Sequence, residues 1–344
     1  MENAPSQIST TKLCFHKSSY SYETCQEPEN FQQTFKQIIS TAPKNGEWTM
    51  FTDLFQYRGF WYTPNFLGGV ILAQQQFKVQ PNDIILCSAP KTGTTWLKAL
   101  GFAIMNRACL DDSTKNPLLV TMPHECVPYL EVDFFQRKTT QYPELPLLAT
   151  HLPYTSLPES IASLGCELVY ICREPKDVFV SLWHFIGNVK AKGNEKFPLE
   201  KAFDLFCQGI SPNGPYWEHV LGYWNASLRW PERILFLKYE ELKSEAPLHV
   251  RRLAEFMGCP FSLEEEKEGV VEKIIELCSF QNLSNLEVNK TGKYPIFASV
   301  VVENNKYFRK GEVGDWKNCL TEEMKEHLDR ITEHKLRGSG FTFC

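Results

Sequence analysis

Three groups of residues in this chain have the types and spacing to hold anions, and one histidine stands where it could move a proton. The first group is Lys91-Thr92-Gly93-Thr94-Thr95-Trp96, which follows the apolar run Ile84-Ile85-Leu86-Cys87. A helix is predicted to start at Thr94. A strand that turns through glycine into a helix leaves unpaired N–H groups at the helix N-terminus. With the positive end of the helix dipole, these groups bind phosphate. Lys91 adds a full charge, and Thr92, Thr94 and Thr95 add hydroxyl donors. The loop is not that of a nucleoside triphosphatase, which sets Lys directly after a second glycine, with a hydroxyl beside it for magnesium. Here Lys91 comes before Gly93, and no first glycine is present.

The second group is Arg173, at the end of the apolar run Leu168–Cys172, with Ser181 in the helix that Pro175, Lys176 and Asp177 open. A guanidinium with a nearby hydroxyl can take a separate phosphate by two-pronged hydrogen bonding. Taken alone, an Arg–Asp surface pair is the plainer reading. The third group, Arg309-Lys310-Gly311, has two adjacent cations and a glycine that lets backbone N–H groups approach an anion; alone it is a basic turn. Two phosphate groups on one ligand would account for both sites together with the Lys91 loop. His151 follows Leu147-Leu148-Ala149-Thr150, which puts it at a strand's carboxyl end. Imidazole is the side chain best suited to accept a proton near neutral pH. His184 is expected to pack within its helix beside Ser181, while His124 stays open as a rival to His151.

These residues need strands that end together. The predicted strands are Ile84–Ser88, Leu147–Thr150, Leu168–Cys172 and Ile234–Tyr239. Helices are predicted over Phe31–Ile39, Thr94–Arg107, Lys176–Asn188, Leu199–Gln208, Tyr216–Ser227 and Thr321–Lys335. The strands read as continuous apolar runs, which indicates a parallel sheet covered on both faces, with ligands beyond the carboxyl ends. The fold class is therefore α/β, a parallel central sheet flanked by helices. A mobile arm is expected over residues 1–30. Residues after Asn289 lack strand–helix rhythm and read as a long loop. The aromatics Tyr57, Phe60 and Trp61 could sandwich a flat ring or be ordinary core.

Composition narrows the partners. Of 344 residues, 43% are hydrophobic, enough for a sizeable core, and the net charge of −5 without a Lys/Arg cluster speaks against nucleic acid. No apolar run is long enough to span a bilayer, and the first residues, lacking a basic stretch followed by an apolar core, are not expected to act as a signal peptide. The twelve cysteines occur singly, without CxxC pairs, so neither zinc nor a disulfide framework is supported and a reducing cytosol fits.

In this order, Pro90–Lys98 (PKTGTTWLK), Thr150–Pro153 (THLP), Cys172–Phe185 (CREPKDVFVSLWHF), Leu235–Leu242 (LFLKYEEL), Leu277–Phe280 (LCSF) and Tyr307–Asn318 (YFRKGEVGDWKN) closely resemble the cytosolic sulfotransferase family. Gly214–His219 (GPYWEH) and Leu221–Trp224 (LGYW) look like its plant branch, near flavonol sulfotransferases. The resemblance runs from about Gly46 to the C-terminus. It implies a P-loop-like sulfotransferase sandwich over residues 46–344, with residues 1–45 as an N-terminal arm. It also implies transfer of a sulfonate group from 3′-phosphoadenylyl sulfate (PAPS), without a metal, to a hydroxyl of a small plant metabolite. By resemblance, Lys91, Thr92, Gly93, Thr94, Thr95 and Trp96 hold the 5′-phosphosulfate, with Trp96 also against the adenine. Arg173, Ser181, Arg309, Lys310 and Gly311 hold the 3′-phosphate, Tyr239 and Phe280 contact the base, and His151 abstracts the acceptor's proton while Lys91 stabilises the leaving oxygen.

Three departures stand out. Thr92 occupies a position that is often Ser in the family. Ala149 replaces a Lys that many members carry two residues before the histidine. The family's dimer motif matches at Lys317, Thr321 and Glu326 but has Glu322 for Val, so a monomer or weak homodimer is expected. The resemblance further implies a cytoplasmic enzyme and, as acceptor, a flavonol ahead of a desulfoglucosinolate, a brassinosteroid or other steroid, or a hydroxyjasmonate. Two other classes are open. A nucleotide kinase would need magnesium and a true triphosphatase loop; a non-catalytic nucleotide sensor would have no need of His151.

Overall fold

The computed structural model describes residues 30–48, 53–80, 82–110, 116–134, 145–190, 197–297 and 300–343. The arm expected over 1–30 thus lies almost wholly outside the described residues. The first helix, Phe31–Thr41, buries Phe31, and a small antiparallel ribbon follows: β1 (Lys44–Asn45), β2 (Leu54–Tyr57) and β3 (Phe60–Tyr62). Here the structure decides between two readings of the aromatic segment. Phe60, Trp61 and Tyr62 are buried in the core packed with the helix Pro64–Gln76, and Tyr57 donates its hydroxyl to Gln74, so this segment is core and not a ligand sandwich.

The four apolar runs form the central sheet as β4 (Ile84–Ser88), β5 (Leu147–Thr150), β6 (Glu167–Cys172) and β7 (Ile234–Lys238), all parallel, in the order β5-β4-β6-β7. Every residue of β4 and β5 is buried. Side chains alternate across a strand, and both faces are covered. Ile85, Cys87, Leu148 and Tyr170 join one core with the helices Pro175–Lys190 and Tyr216–Arg229. Leu86, Ala149, Val169 and Ile171 join a second core with the helices Thr94–Met105, Ala246–Phe256 and Val270–Leu277. Truncating Leu86 to Ala would remove roughly 2–5 kcal/mol.

The order reverses at β4. The chain leaves β4 toward β5 on one side and β6 toward β7 on the other, so the two loops part and open a crevice at the carboxyl ends, the place where open α/β sheets bind ligands. Two boundaries differ from expectation. Tyr239 begins the helix Tyr239–Ser244 and is not the last residue of β7. The stretch after Asn289 is not a plain loop: β8 (Lys293–Phe297) and β9 (Val300–Glu303) form an antiparallel hairpin, irregular between Pro295 and Phe297. Pro295 cannot donate to a ladder, which masks such a strand in sequence. Among the described residues no helix is long and apolar enough to cross a membrane, and no cluster of His, Cys, Asp and Glu could hold a metal ion.

Candidate active site

The loop from β4 into Thr94–Met105 is wound tightly. Lys91 has φ +71° and Gly93 φ +111°, a region that L side chains rarely adopt. A Cβ at Gly93 would also lie 2.7 Å from the Tyr239 ring. The glycine is thus required twice, by its backbone angle and by the approach of Tyr239. The three threonines divide their tasks. Thr92 donates its hydroxyl to the carbonyls of Ala89 and Ile171, at 2.9 and 3.1 Å, so it braces the loop against β6 and its side chain is not a ligand group as expected. Thr94 pairs with the Ser88 hydroxyl at 2.8 Å. Thr95 lines the cleft.

The Lys91 ammonium sits over the Phe185 ring, 4.1 Å from its centroid. Burial, with Arg309 and Arg173 nearby, lowers its pKa to about 7. That mutual repulsion makes the three cations one electrostatic group.

Arg173, at the end of β6, stacks its guanidinium on Tyr239 at 4.4 Å and donates to the Glu312 carbonyl at 2.5 Å. Asp177, fully buried one turn on, lies 3.3 Å from Arg173 and accepts the backbone N–H groups of Gly314 and Trp316. This carboxylate ties the Arg309–Gly311 loop to β6, which explains how groups over 130 residues apart in sequence meet. Asp315 grips both Arg309 and Lys310. Burial raises its pKa, but hydrogen bonds from Lys310, Asn318 and Arg309 outweigh this and hold it well below the usual carboxylate range. Gly311 (φ +65°) packs under Phe280, where a Cβ would come within 2.5 Å of the ring, and Tyr239 donates its hydroxyl to the Gly311 carbonyl.

His151 is pinned from four directions. Its backbone N–H donates to Glu131 at 2.7 Å, and its carbonyl accepts from His219 Nε2 and Asn213 at 3.0 and 3.2 Å. Its Nδ1 lies 2.7 Å from the Ser88 carbonyl, which can only accept, so Nδ1 carries the proton and Nε2 keeps a free lone pair. Burial is the main reason its pKa falls to about 3, and the imidazole is neutral near pH 7. Glu131 is fully buried; its second oxygen accepts from Thr150 at 2.7 Å, and burial raises its pKa.

The cations, His151 and much of the loop converge on one cleft of about 380 Å³. Lys91, Gly93, Thr94, Thr95, Trp96, His151, Arg173, Ser181, Tyr239, Phe280, Arg309, Lys310 and Gly311 all line it; Thr92 does not. Sequence reasoning missed the aromatic part of its lining, made by Phe66, Tyr129, Phe185, Tyr294, Phe297 and Tyr307, of which Phe185 and Tyr307 lie beside Lys91. It also missed Glu131, whose signal was an acid within the apolar run Val127–Val132. His184 is not in the cleft; its Nε2 faces Cys319 Sγ at 3.7 Å. His124 is in the cleft.

The residues fit a nucleotide with two separate anionic groups. Arg173 and Arg309 each keep a buried Nε with no hydrogen-bond partner among the described residues, and Gly93 and Gly311 let the rings of Tyr239 and Phe280 lie against the loops. The class defined by fold and cleft is an open α/β protein holding such a nucleotide beside a neutral imidazole. The sulfotransferase domain model matches residues 81–340. A flavonol sulfotransferase-like protein of Flaveria bidentis is 51% identical over 308 residues, covering 89% of this chain and 98% of its own. The crystal structure of an Arabidopsis thaliana sulphotransferase superposes with a TM-score of 0.70 at 37% identity, over 93% of this chain and 98% of that one. Mouse sulfotransferase SULT7A1 in complex with PAP superposes with a TM-score of 0.63 at 25% identity, over 83% and 95%. The chain belongs to the sulfotransferase family, in its plant cytosolic branch. It is a PAPS-dependent enzyme that acts on a small hydroxylated metabolite.

Proposed function

We propose that the enzyme sulfates a phenolic hydroxyl of a flavonol or related flavonoid. The observation that carries the reading is that His151 Nε2, held as a proton acceptor, shares one cleft with the cationic groups and with an aromatic wall. Bound PAPS supplies a sulfonate on a phosphate leaving group. Lys91, the Thr95 hydroxyl and the N-terminus of Thr94–Met105 take its 5′ end, and Lys91 offsets charge growing on the leaving oxygen. Arg173, Ser181, Arg309, Lys310 and Gly311 take the 3′-phosphate, and Trp96, Tyr239 and Phe280 bracket the base. His151 Nε2 removes the acceptor's proton, and the resulting Nδ1–H···O=C geometry steadies the imidazolium. The low pKa of His151 rises once anionic groups stand beside it.

The flat acceptor is supported by the Flaveria relative and by the aromatic side chains in the cleft lining, among them Phe66, Tyr129 and Phe297. Incubation with labelled PAPS and a panel of flavonols, desulfoglucosinolates, steroids and hydroxyjasmonates tests this. The expected result is product with flavonols at the highest kcat/KM. Preference for any other class overturns the acceptor assignment and leaves the donor assignment standing.

A further inference from the structure

His124 stands in the short helix Pro123–Cys126, only 2% exposed, with Nε2 3.2 Å from the Thr95 hydroxyl oxygen. Its other nitrogen, Nδ1, is buried and has no hydrogen-bond partner among the described residues. Around the ring stand Tyr129, Tyr294 and Tyr307, with centroids at 5.4, 5.6 and 4.6 Å. A neutral imidazole carries one proton. On Nδ1 that proton would be a buried donor without an acceptor, one of the rarest arrangements in folded proteins. On Nε2 it has Thr95 Oγ1 to donate to. The proton therefore belongs on Nε2, and burial, which lowers the pKa well below the ordinary value, keeps the ring neutral.

This settles what Thr95 can do. Its oxygen accepts from His124, so its own proton must point elsewhere. It has no other hydrogen-bond partner among the described residues, and it lines the cleft. Thr92 and Thr94, by contrast, have their hydroxyls engaged by Ala89, Ile171 and Ser88. Thr94 lines the cleft as well but shares its hydroxyl with Ser88, whereas Thr95 has only His124 beside it.

We propose that His124 is a positioning residue for sulfonate transfer: its Nε2–H holds the Thr95 oxygen so that the Thr95 hydroxyl donates to a sulfonate oxygen of the donor. The two histidines of the cleft then have opposite tautomers and opposite tasks. His151 is protonated on Nδ1 and presents a bare Nε2 to the acceptor; His124 is protonated on Nε2 and turns a hydroxyl toward the donor. This rests on the reading of the cleft as a PAPS site.

The test uses His124→Phe, which keeps a flat ring and loses the donor, and His124→Gln, whose amide can restore an N–H near Nε2. Thr95→Val and the double variant His124→Phe/Thr95→Val complete the cycle. Turnover with PAPS and calorimetric affinity for PAP, which lacks the sulfonate, are measured for each. His124→Phe is expected to lose roughly 10–100-fold in kcat, the range typical of supporting residues behind a ligand group, with PAP affinity unchanged. His124→Gln should recover most of the rate, and the double variant should be no slower than Thr95→Val. Additive losses in the cycle, a parallel fall in PAP affinity, or wild-type turnover in His124→Phe would overturn the proposal. If His124→Phe does not fold, His124→Leu, which also lacks the donor, replaces it in the same cycle with Thr95→Val and the same outcomes decide. A wild-type protein that fails to use PAPS at all would overturn the donor reading itself, which separates that failure from a failure of His124.

Discussion

The two ends of the cleft are built by different rules. At the donor end, cations are held by carboxylates buried behind them: Asp177 beside Arg173, and Asp315 against Arg309 and Lys310. These side chains are fixed before any ligand arrives, so the end is preorganised for one charge pattern. On the proposed reading the acceptor end is aromatic and is drawn from elements far apart: Phe66 in Pro64–Gln76, and Tyr294 and Phe297 in β8. Apolar contact is non-directional. One end therefore sets a reaction, while the other can change its substrate by altering a few rings.

The largest expected effect lies where the two ends meet. His151→Ala should fold and bind PAP with wild-type affinity yet lose about 10²–10³ in kcat. Wild-type turnover in this variant would move the base to another group. The donor end alone is probed by Arg173→Ala. Asp177 would then be buried without its cationic partner, and donor affinity should fall roughly 100-fold, as for truncated buried pairs. The wild type should bind nucleotides with the 3′-phosphate more tightly than those without it, and the variant should discriminate less. Equal wild-type affinity for both would mean that the second cationic group does not read that phosphate.

That contrast also governs what could be read from the chain alone. Lys91, Arg173 and Arg309 were legible because each sits in a contiguous motif at a strand end or beside a glycine, where residue type reports local geometry. The sheet was legible because its strands are unbroken apolar runs. The tasks of Asp177 and Asp315 were not, since an acid in a helix or turn looks solvated until tertiary structure buries it. The bracing task of the Thr92 hydroxyl was hidden for a related reason: a hydroxyl in an anion loop looks like a ligand group, and only the neighbouring carbonyl of Ile171 shows that it is taken. Tyr57, Phe60 and Trp61 were ambiguous because aromatic residues fill cores and line pockets by the same chemistry. The hairpin that supplies the true wall carries a proline and spans only a few residues, so its pattern was too short to register.

A smaller effect distinguishes the ends by pH. The Lys91 pKa of about 7 in the protein alone must rise when an anion binds beside it. Below that pKa the ammonium is already charged, and binding takes up no proton. Above it, binding takes up as much as one proton, so donor affinity should fall by up to about tenfold per pH unit. Calorimetry in buffers of different ionisation enthalpy should show uptake approaching one proton at about pH 8 and little at about pH 6. Acceptor binding to the PAP complex should show no such linkage at Lys91. Uptake that persists in Lys91→Met would assign the proton to another group.

The smallest effect is the one that tests whether the acceptor end is as independent as its construction implies. Phe297 meets Phe66 edge-to-face and is nearly buried, so Phe297→Leu keeps most of the apolar volume and loses the ring pair. An aromatic contact between Phe297 and the acceptor would contribute about 0.5–1.5 kcal/mol beyond its area, so its loss corresponds to a change of roughly twofold to tenfold in acceptor KM. Donor affinity and the single-turnover rate at saturating acceptor should not move if the two ends act independently. A parallel loss in PAP affinity would mean that β8 and the donor loop behave as one cooperative unit. The division between a fixed donor end and an adaptable acceptor end would then have to be redrawn around the hairpin.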